Sequence, residues 1–369
     1  MRELHSQSIE DIAIGSGVLG AGGGGDPFIG KMVTLHMSEV FGPPKLIQPA
    51  DLPDDALIVS PFGIGSPLIG LEKFPFGPEL DRAYNEFISM IGRPASALLA
   101  IEIGGMNSMT PLVLGARLGI PVLDADLIGR AAPHLELTTA ALNGILSTPT
   151  VIADEHGNLL TIKAVDDKWC DRIARAAIME FGAMAVGCGY MMSGKQSQVV
   201  PVQGSISYAE AIGRSIREAR AAKRDLVGAI LDVTNGSVLF TGKVVDVQRH
   251  VAHSHSVGQF TVAGTDGDLG ATCVIDFENE NLIAWRDGEV VATTPDLITL
   301  LDVDSGATVQ TELVRYGLRT AVLGIPADPA WHTPEGIALF GPGRFGYDVP
   351  FHPVPVKARS EASGNGSDK

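Results

Sequence analysis

The sequence predicts an α/β protein in two parts: an N-terminal three-layer α/β domain with a largely parallel sheet, and a C-terminal β-rich α+β domain. Three observations predict it. From Lys45 to about Asp126 short β-like runs alternate with helical periodicities, the pattern of a parallel sheet with crossover helices. From Ser237 onward strands follow one another with few helices between them. The chain has 369 residues, 45% hydrophobic and 19% charged, enough for two domains with full cores. The predicted domains are residues 1–164 and 165–356, and the polar, glycine- and serine-rich residues 357–369 read as a disordered tail.

In chain order, the first element is "SIEDIAIGSGVLG". Its apolar residues recur at three- and four-residue intervals, which predicts a helix from about Ile9 to Leu19 with Ser8 and Asp11 capping its start. Gly15, Gly17 and Gly20 fall in a G-x-G-x-x-G spacing. That dinucleotide fingerprint requires a strand before its first glycine, and a helical pattern stands there instead, so NAD is disfavoured. Gly22 to Gly25 form a left-handed exit and a loop, and Asp26-Pro27 reads as the N-cap and first turn of the next helix. The loop is either a tight helix connection or a set of bare amides facing an anionic or polar ligand; in the second case Gly23, Gly24, Gly25 and Asp26 bind substrate.

A βαβαβ series follows: a strand at Ala56–Ser60, the helix "PELDRAYNEFISMIG", a buried strand at Ser96–Ile103, a helix from near Ser108, and the strand "IPVLDAD" ending near Asp124. A turn at Glu155–Asn158 closes a hairpin that leads into the amphipathic helix "DDKWCDRIARAAIMEFG". The small-residue strand "MAVGCGYMMSG" and the helix "SYAEAIGRSIREARAAKRD" come next. In the strand-dense remainder, Asp287-Gly288 marks a hairpin turn.

Charge and composition restrict the partners. A formal net charge of −16 disfavours nucleic acid and anionic membranes, which would be repelled. No apolar stretch is long enough to span a bilayer, and the N-terminus lacks the apolar core of a signal peptide. Cys170, Cys188 and Cys273 have no paired spacing, which points to a reducing compartment with the cytoplasm as default. The expected partner is a small molecule, and a homo-oligomer is left open.

Candidate chemistry gathers at the predicted strand ends. Glu102, Asp124 and Asp126 would fall at the carboxyl edge of the sheet, where open α/β folds place their ligand crevice. Clustered carboxylates either raise one another's pKa for acid/base work or recruit a divalent cation such as zinc; the alternative is helix capping, with Arg130 neutralising them. In "GGMNSMTP" the amides and Asn107 at a helix start suit an anion or oxyanion. Cys188, between two glycines, is either a nucleophile or a core thiol. His253 and His255 in "RHVAHSHSVG", with His250 nearby, have strand spacing for a metal pair but no acid or cysteine beside them in sequence, so exposed hairpin histidines are the competing reading. The C-terminal "LFGPGRFGYDVPFHPVPV" reads as a rigid wrap from which Arg344 and Tyr347 could reach a substrate.

Four stretches together, the helix with its "GAGGGGDP" exit, "IEIGGMNSMTPLVLGARLGIPVLDADLIGRAAPHLEL", "GSISYAEAIGRSIREAR" and "PDLITLLDVDSGATVQTELVRYGLRTAVLG", resemble the S-methyl thiohydantoin desulfurase family from about Ile9 to Pro355. The resemblance implies a two-domain enzyme that removes sulfur from a thiohydantoin ring and leaves a hydantoin. Gly22 to Asp26, Asn107, Asp124, Asp126 and Arg130 match its N-terminal pattern, whereas "HVAHSHSVG" departs from it. On this expectation Asp124 or Asp126 activates water or holds a cation, Asn107 stabilises developing charge, and Arg130 orients a substrate carboxylate; in a variant Cys188 attacks. A ring-opening amidohydrolase acting on a hydantoin or lactam, and a non-catalytic small-molecule-binding accessory protein, are the alternatives.

Overall fold

The computed structural model describes residues 1–74, 76–252 and 255–356. The tail 357–369 and His253 lie outside the described residues. Two sheets carry the chain. The first contains β1 (Arg2–Glu3), β2 (Lys45–Ile47), β3 (Leu57–Gly65), β4 (Ala97–Ala100), β5 (Val122–Asp126), β6 (Thr150–Ala153), β7 (Leu159–Ile162), β8 (Met184–Ser193) and β9 (Val202–Gln203). Its order is β1-β2-β5-β4-β3-β8-β6-β7, with β9 added on β5. The block β2-β5-β4-β3 is parallel, as the alternation of strands and helices requires, and antiparallel strands extend it on both sides. β8 and β9 lie past residue 164 in sequence yet pair within this first sheet.

The second sheet is antiparallel throughout: β10 (Ser237–Ala252), β11 (His255–Gly264), β12 (Thr272–Glu278), β13 (Glu280–Arg286), β14 (Glu289–Thr293), β15 (Leu297–Asp302), β16 (Thr308–Val309) and β17 (Arg319–Ile325), in the order β14-β13-β12-β11-β10-β17-β15-β16. It curls until non-neighbouring strands meet, where Asn281 Nδ2 on β13 donates to the Ile298 carbonyl of β15 at 2.8 Å. One apolar core runs from the first sheet into Leu297, Leu301, Leu323 and Trp331, and a second fills the curl around Phe240, Phe260, Phe277 and Val322.

Helix α1 (Ser6–Leu19) begins three residues before its predicted start, and the side chain of its N-cap His5 makes no capping bond. Asp11 does not cap it; its buried carboxylate pairs instead with the partly exposed Arg217, at 2.8 Å on the helix Ser205–Ala221. The glycines of α1 serve packing. A Cβ on Gly15 would lie 1.8 Å from the Ala209 carbonyl oxygen, so the two helix backbones touch where a side chain would hold them apart. Gly15 and Gly17 are interior to a helix and Gly20 is its C-cap, so no strand-turn-helix dinucleotide geometry exists at this fingerprint. Helix α2 (Pro27–Phe41) starts as its sequence dictates, with the Phe28 N–H donating to Asp26 Oδ1 at 2.8 Å. β3 runs to Gly65, well beyond Ser60, because Pro61 to Gly65 pair antiparallel with β8. β4 ends at Ala100, so Ile101 to Ile103 leave the sheet, and the helix after them begins at Thr110 behind a 3-10 turn, Gly105–Ser108.

Candidate active site at the seam between the sheets

The glycine loop is clamped on both sides. Ala21 and Gly22 offer carbonyls to the N–H groups of Asn281 on β13 and Thr311 in the turn after β16, at 2.8 and 2.7 Å. The Gly24 carbonyl accepts from Met106 N–H at 2.8 Å, in the turn after β4. Gly24, at φ +71°, has no room for a Cβ, which would sit 2.6 Å from the Gly104 oxygen. The loop is therefore the joint between the two sheets.

Beside it lies a narrow cleft with about 80 Å³ of free volume, lined by Gly24, Gly63, Glu102, Asn107, Asn279 and Glu280 among others. Two buried carboxyl groups face it from opposite sides, Glu102 from the loop after β4 and Glu280 from the start of β13. Glu102 accepts from Asn107 Nδ2 at 2.7 Å and from Ala132 N–H at 3.0 Å. Burial and then the neighbouring Asp126 charge raise its pKa to about 7, against the pull of those two donors. Glu280 Oε1 accepts from Gly24 N–H at 2.9 Å, and its buried Oε2 has no hydrogen-bond partner. Burial, reinforced by the Glu102 charge, pushes its pKa well above the ordinary carboxylate range.

Glu102 has a consequence for stability. The folded chain holds its proton up to about 7, whereas the unfolded chain releases it near the ordinary value of 4.5. Between those values the native state binds the extra proton, so this contribution is complete below 4.5 and is lost as pH rises through 7. On the order of 3 kcal/mol is at stake. Urea unfolding of Glu102→Gln against wild type at pH 4.5 and pH 8 is expected to show the variant gaining relative stability at the higher pH; parallel curves would exclude the linkage.

A wider vestibule of about 760 Å³ adjoins the cleft and shares His134 and Arg175 with it. Its wall carries His134, Asp171, His255 and Glu278. His134 lies between two carboxylates, with Nδ1 3.2 Å from Asp171 and Nε2 3.0 Å from Glu278. Burial disfavours its cation, but those carboxylates outweigh burial and raise its pKa to about 9. Burial, and then the Arg175 and His134 charges, lower the pKa of His255.

Of the sequence candidates, Glu102, Asn107 and Gly24 line the cleft. Asn107 is not a free oxyanion donor: its amide bridges both backbone groups of Gly63, at 2.7 and 3.1 Å, and holds Glu102. Gly23 packs behind Glu280, and Gly25 faces Pro67 and Met106. Asp26 caps α2. Asp124 is turned away from the cleft, where it accepts from Ser207 N–H at 2.9 Å, from the Ser207 hydroxyl and from Gln48 Nε2 at 3.0 Å, securing the start of the helix Ser205–Ala221. Asp126 Oδ2 accepts three backbone N–H bonds, from Ile103, Ile128 and Gly129, and so ties two loops rather than touching the cleft.

Arg130 is fully buried and donates to the carbonyls of Ala131, Pro295 and Asp296 at 2.7 to 2.9 Å, so it staples the two sheets and lines neither cavity. Cys188 sits inside β8 between β3 and β6, where burial drives its thiol pKa far up and away from the thiolate form. His250 is exposed. Arg344 pairs with Glu136 at 2.5 Å, as part of a C-terminal segment in which Trp331 Nε1 donates to the Ile128 carbonyl at 2.6 Å. Glu280, Glu278 and His134 were not singled out by sequence reasoning. The one local signal was the polar run "ENEN" at Glu278–Asn281 inside otherwise apolar strands.

These features define a class: an α/β sheet and a curled antiparallel sheet that share a carboxyl-lined cleft at a glycine-loop joint. The chain belongs to the S-Me-THD-like family, whose N-terminal domain model matches residues 7–164 and whose C-terminal domain model matches residues 165–354. A crystal structure of a protein from Chromobacterium violaceum, structural genomics target CvR68, is similar in fold, with a TM-score of 0.78 and 23% identity over 96% of this chain and all of that one. No curated protein matches the chain. Among the described residues no helix is long and apolar enough to cross a membrane.

Proposed function

We propose that the protein hydrolyses the exocyclic C–S bond of a thiohydantoin-type ring, giving a hydantoin and a thiol. One observation carries the reading: Glu102, from the loop after β4, and Glu280, from β13, approach one narrow cleft, and Glu280 Oε2 is buried there without a partner. The cleft is far smaller than the roughly 300–1,000 Å³ that houses drug-sized ligands, which favours a five-membered ring over a nucleotide. A substituent on the ring would extend into the vestibule.

In an S-methyl thiohydantoin the carbon bearing sulfur is bonded to two ring nitrogens and is electrophilic like an amidine carbon. Water adds to it, one water proton goes to the ring nitrogen, and a tetrahedral intermediate forms. The C–S bond then breaks, the sulfur leaves with its bonding electrons and takes the second proton, and the oxygen remains as the ring carbonyl. Glu280 Oε2 is the group placed to carry protons between water, nitrogen and sulfur. Glu102, held by Asn107 and Ala132 N–H, supplies a second carboxyl beside it. The cleft's apolar members, including Ile101, Met106 and Met184, limit competing water.

The test is product analysis with S-methyl thiohydantoins of differing side chain. The expected products are methanethiol and the intact hydantoin in equal amounts. A ring-opened carbamoyl product without thiol release would replace this reading with an amidohydrolase, and tight binding without turnover would make the protein a binding module.

A further inference from the structure

We propose that His134, His255 and Glu278 form a binding site for zinc, or a similar late first-row dication, in the vestibule wall. Metal binding there is separable from the hydrolytic reading, because it is measured without substrate. One donor atom from each residue falls in a common cluster in which all lie within 4.8 Å of one another. Glu278 Oε1 is 3.0 Å from His134 Nε2 and 3.9 Å from His255 Nδ1. A tetrahedral zinc with bonds of about 2.1 Å separates its donor atoms by about 3.4 Å, between those two distances.

The decisive feature is what the other ring nitrogens do. His134 Nδ1 faces Asp171 at 3.2 Å, and His255 Nε2 faces the Pro133 carbonyl at 2.7 Å. A carbonyl oxygen only accepts, so His255 carries its proton on Nε2 and turns the Nδ1 lone pair toward Glu278. Asp171 fixes the His134 ring through Nδ1, so Nε2 is the atom the metal takes, in exchange for the proton that Nε2 shares with Glu278. A carboxylate or backbone carbonyl behind each imidazole is the arrangement that orients metal-bound histidines.

Asp171 belongs behind the site rather than in it, since Arg175 Nε and Leu135 N–H also bond to it. Glu136, which clusters with His134 and Asp171 in an alternative set, is engaged by Arg344. The tight turn at Asn279, φ +54°, gives β12 and β13 divergent tasks: Glu278 faces the vestibule while Glu280 faces the cleft. Two imidazoles and one carboxylate suit zinc better than magnesium or calcium, and three protein ligands leave a fourth position for water or substrate.

The experiment uses the full chain without a histidine tag, stripped by a chelator and titrated with zinc against a chromogenic competitor. One zinc per chain is expected, with affinity falling at least about 100-fold in His255→Gln and Glu278→Gln, and roughly 10- to 100-fold in Asp171→Asn. X-ray absorption of zinc-loaded wild type tests the assignment even if a variant does not fold; it should show two imidazole nitrogens and a carboxylate oxygen near 2.0–2.2 Å. Wild type that binds zinc no more tightly than a folded His255→Gln, or a zinc shell lacking two imidazoles, overturns the site whatever the protein's turnover. Zinc binding as predicted with no thiol release leaves the site standing and removes the proposed function instead.

Discussion

Glu280→Gln is expected to lower kcat by about 10²- to 10⁴-fold with little change in KM, the range lost when a positioned proton-transfer group is removed. The substitution preserves shape. A glutamine oxygen still accepts from Gly24 N–H, so the joint between the sheets stays closed, but an amide cannot carry a proton between water and sulfur. Stability should hold or rise, because a buried carboxyl with a single partner is replaced by a neutral group. Steady-state kinetics and a thermal melt on the same preparation separate the two effects. Turnover within threefold of wild type would remove Glu280 from the chemistry. Glu102→Gln should cost less turnover, since both Glu102 oxygens already hold protein donors.

The parts of this site that were legible in the sequence are those set by local chemistry. Asp26-Pro27 announces a helix start because an N-cap and its proline act within one turn, and Glu102 stands out because it closes an apolar run. The glycine run announced a close approach without saying to what. The rest depended on contacts distant in sequence. Glu280 meets Gly24 across 256 positions, and only the curl of the second sheet and the turn at Asn279 bring it there. Asp124 looked identical in kind to Glu102, but its assignment turned on Ser207, 83 positions away, at the start of a helix that crosses behind β5. In the sequence His255 stands out by its spacing from His253, whereas the side chains that converge on it, His134 and Glu278, come from a loop after β5 and from the end of β12. Cys188 between glycines could have been an exposed nucleophile; β3 and β6 on either side of β8 make it a core residue.

Gly23→Ala is expected to reduce kcat/KM to a degree comparable with Glu280→Gln, although residue 23 bears no functional group. A Cβ there would lie 1.9 Å from Glu280 Oε1 and 2.4 Å from its carboxyl carbon, and something must move. The loop resists moving: Gly23 N–H donates to the Gly20 carbonyl at 2.8 Å, and the carbonyls of Gly22 and Gly24 are held from opposite sides by the N–H groups of Thr311 and Met106. Glu280 is the end of a side chain, so the carboxyl is what gives way. It loses the Gly24 N–H and swings out of register with the cleft, where a displacement of about 1 Å is enough to cost on the order of 10²-fold. The fold should survive at a cost of roughly 1–3 kcal/mol for overpacking. Gly343→Ala, at an exposed position where a Cβ would meet nothing within 4 Å, serves as the control and should leave both kinetics and melting unchanged. A Gly23→Ala protein that keeps wild-type turnover would show that the carboxyl's position against the glycine loop does not govern the reaction, and a proton carrier other than Glu280 would then be required.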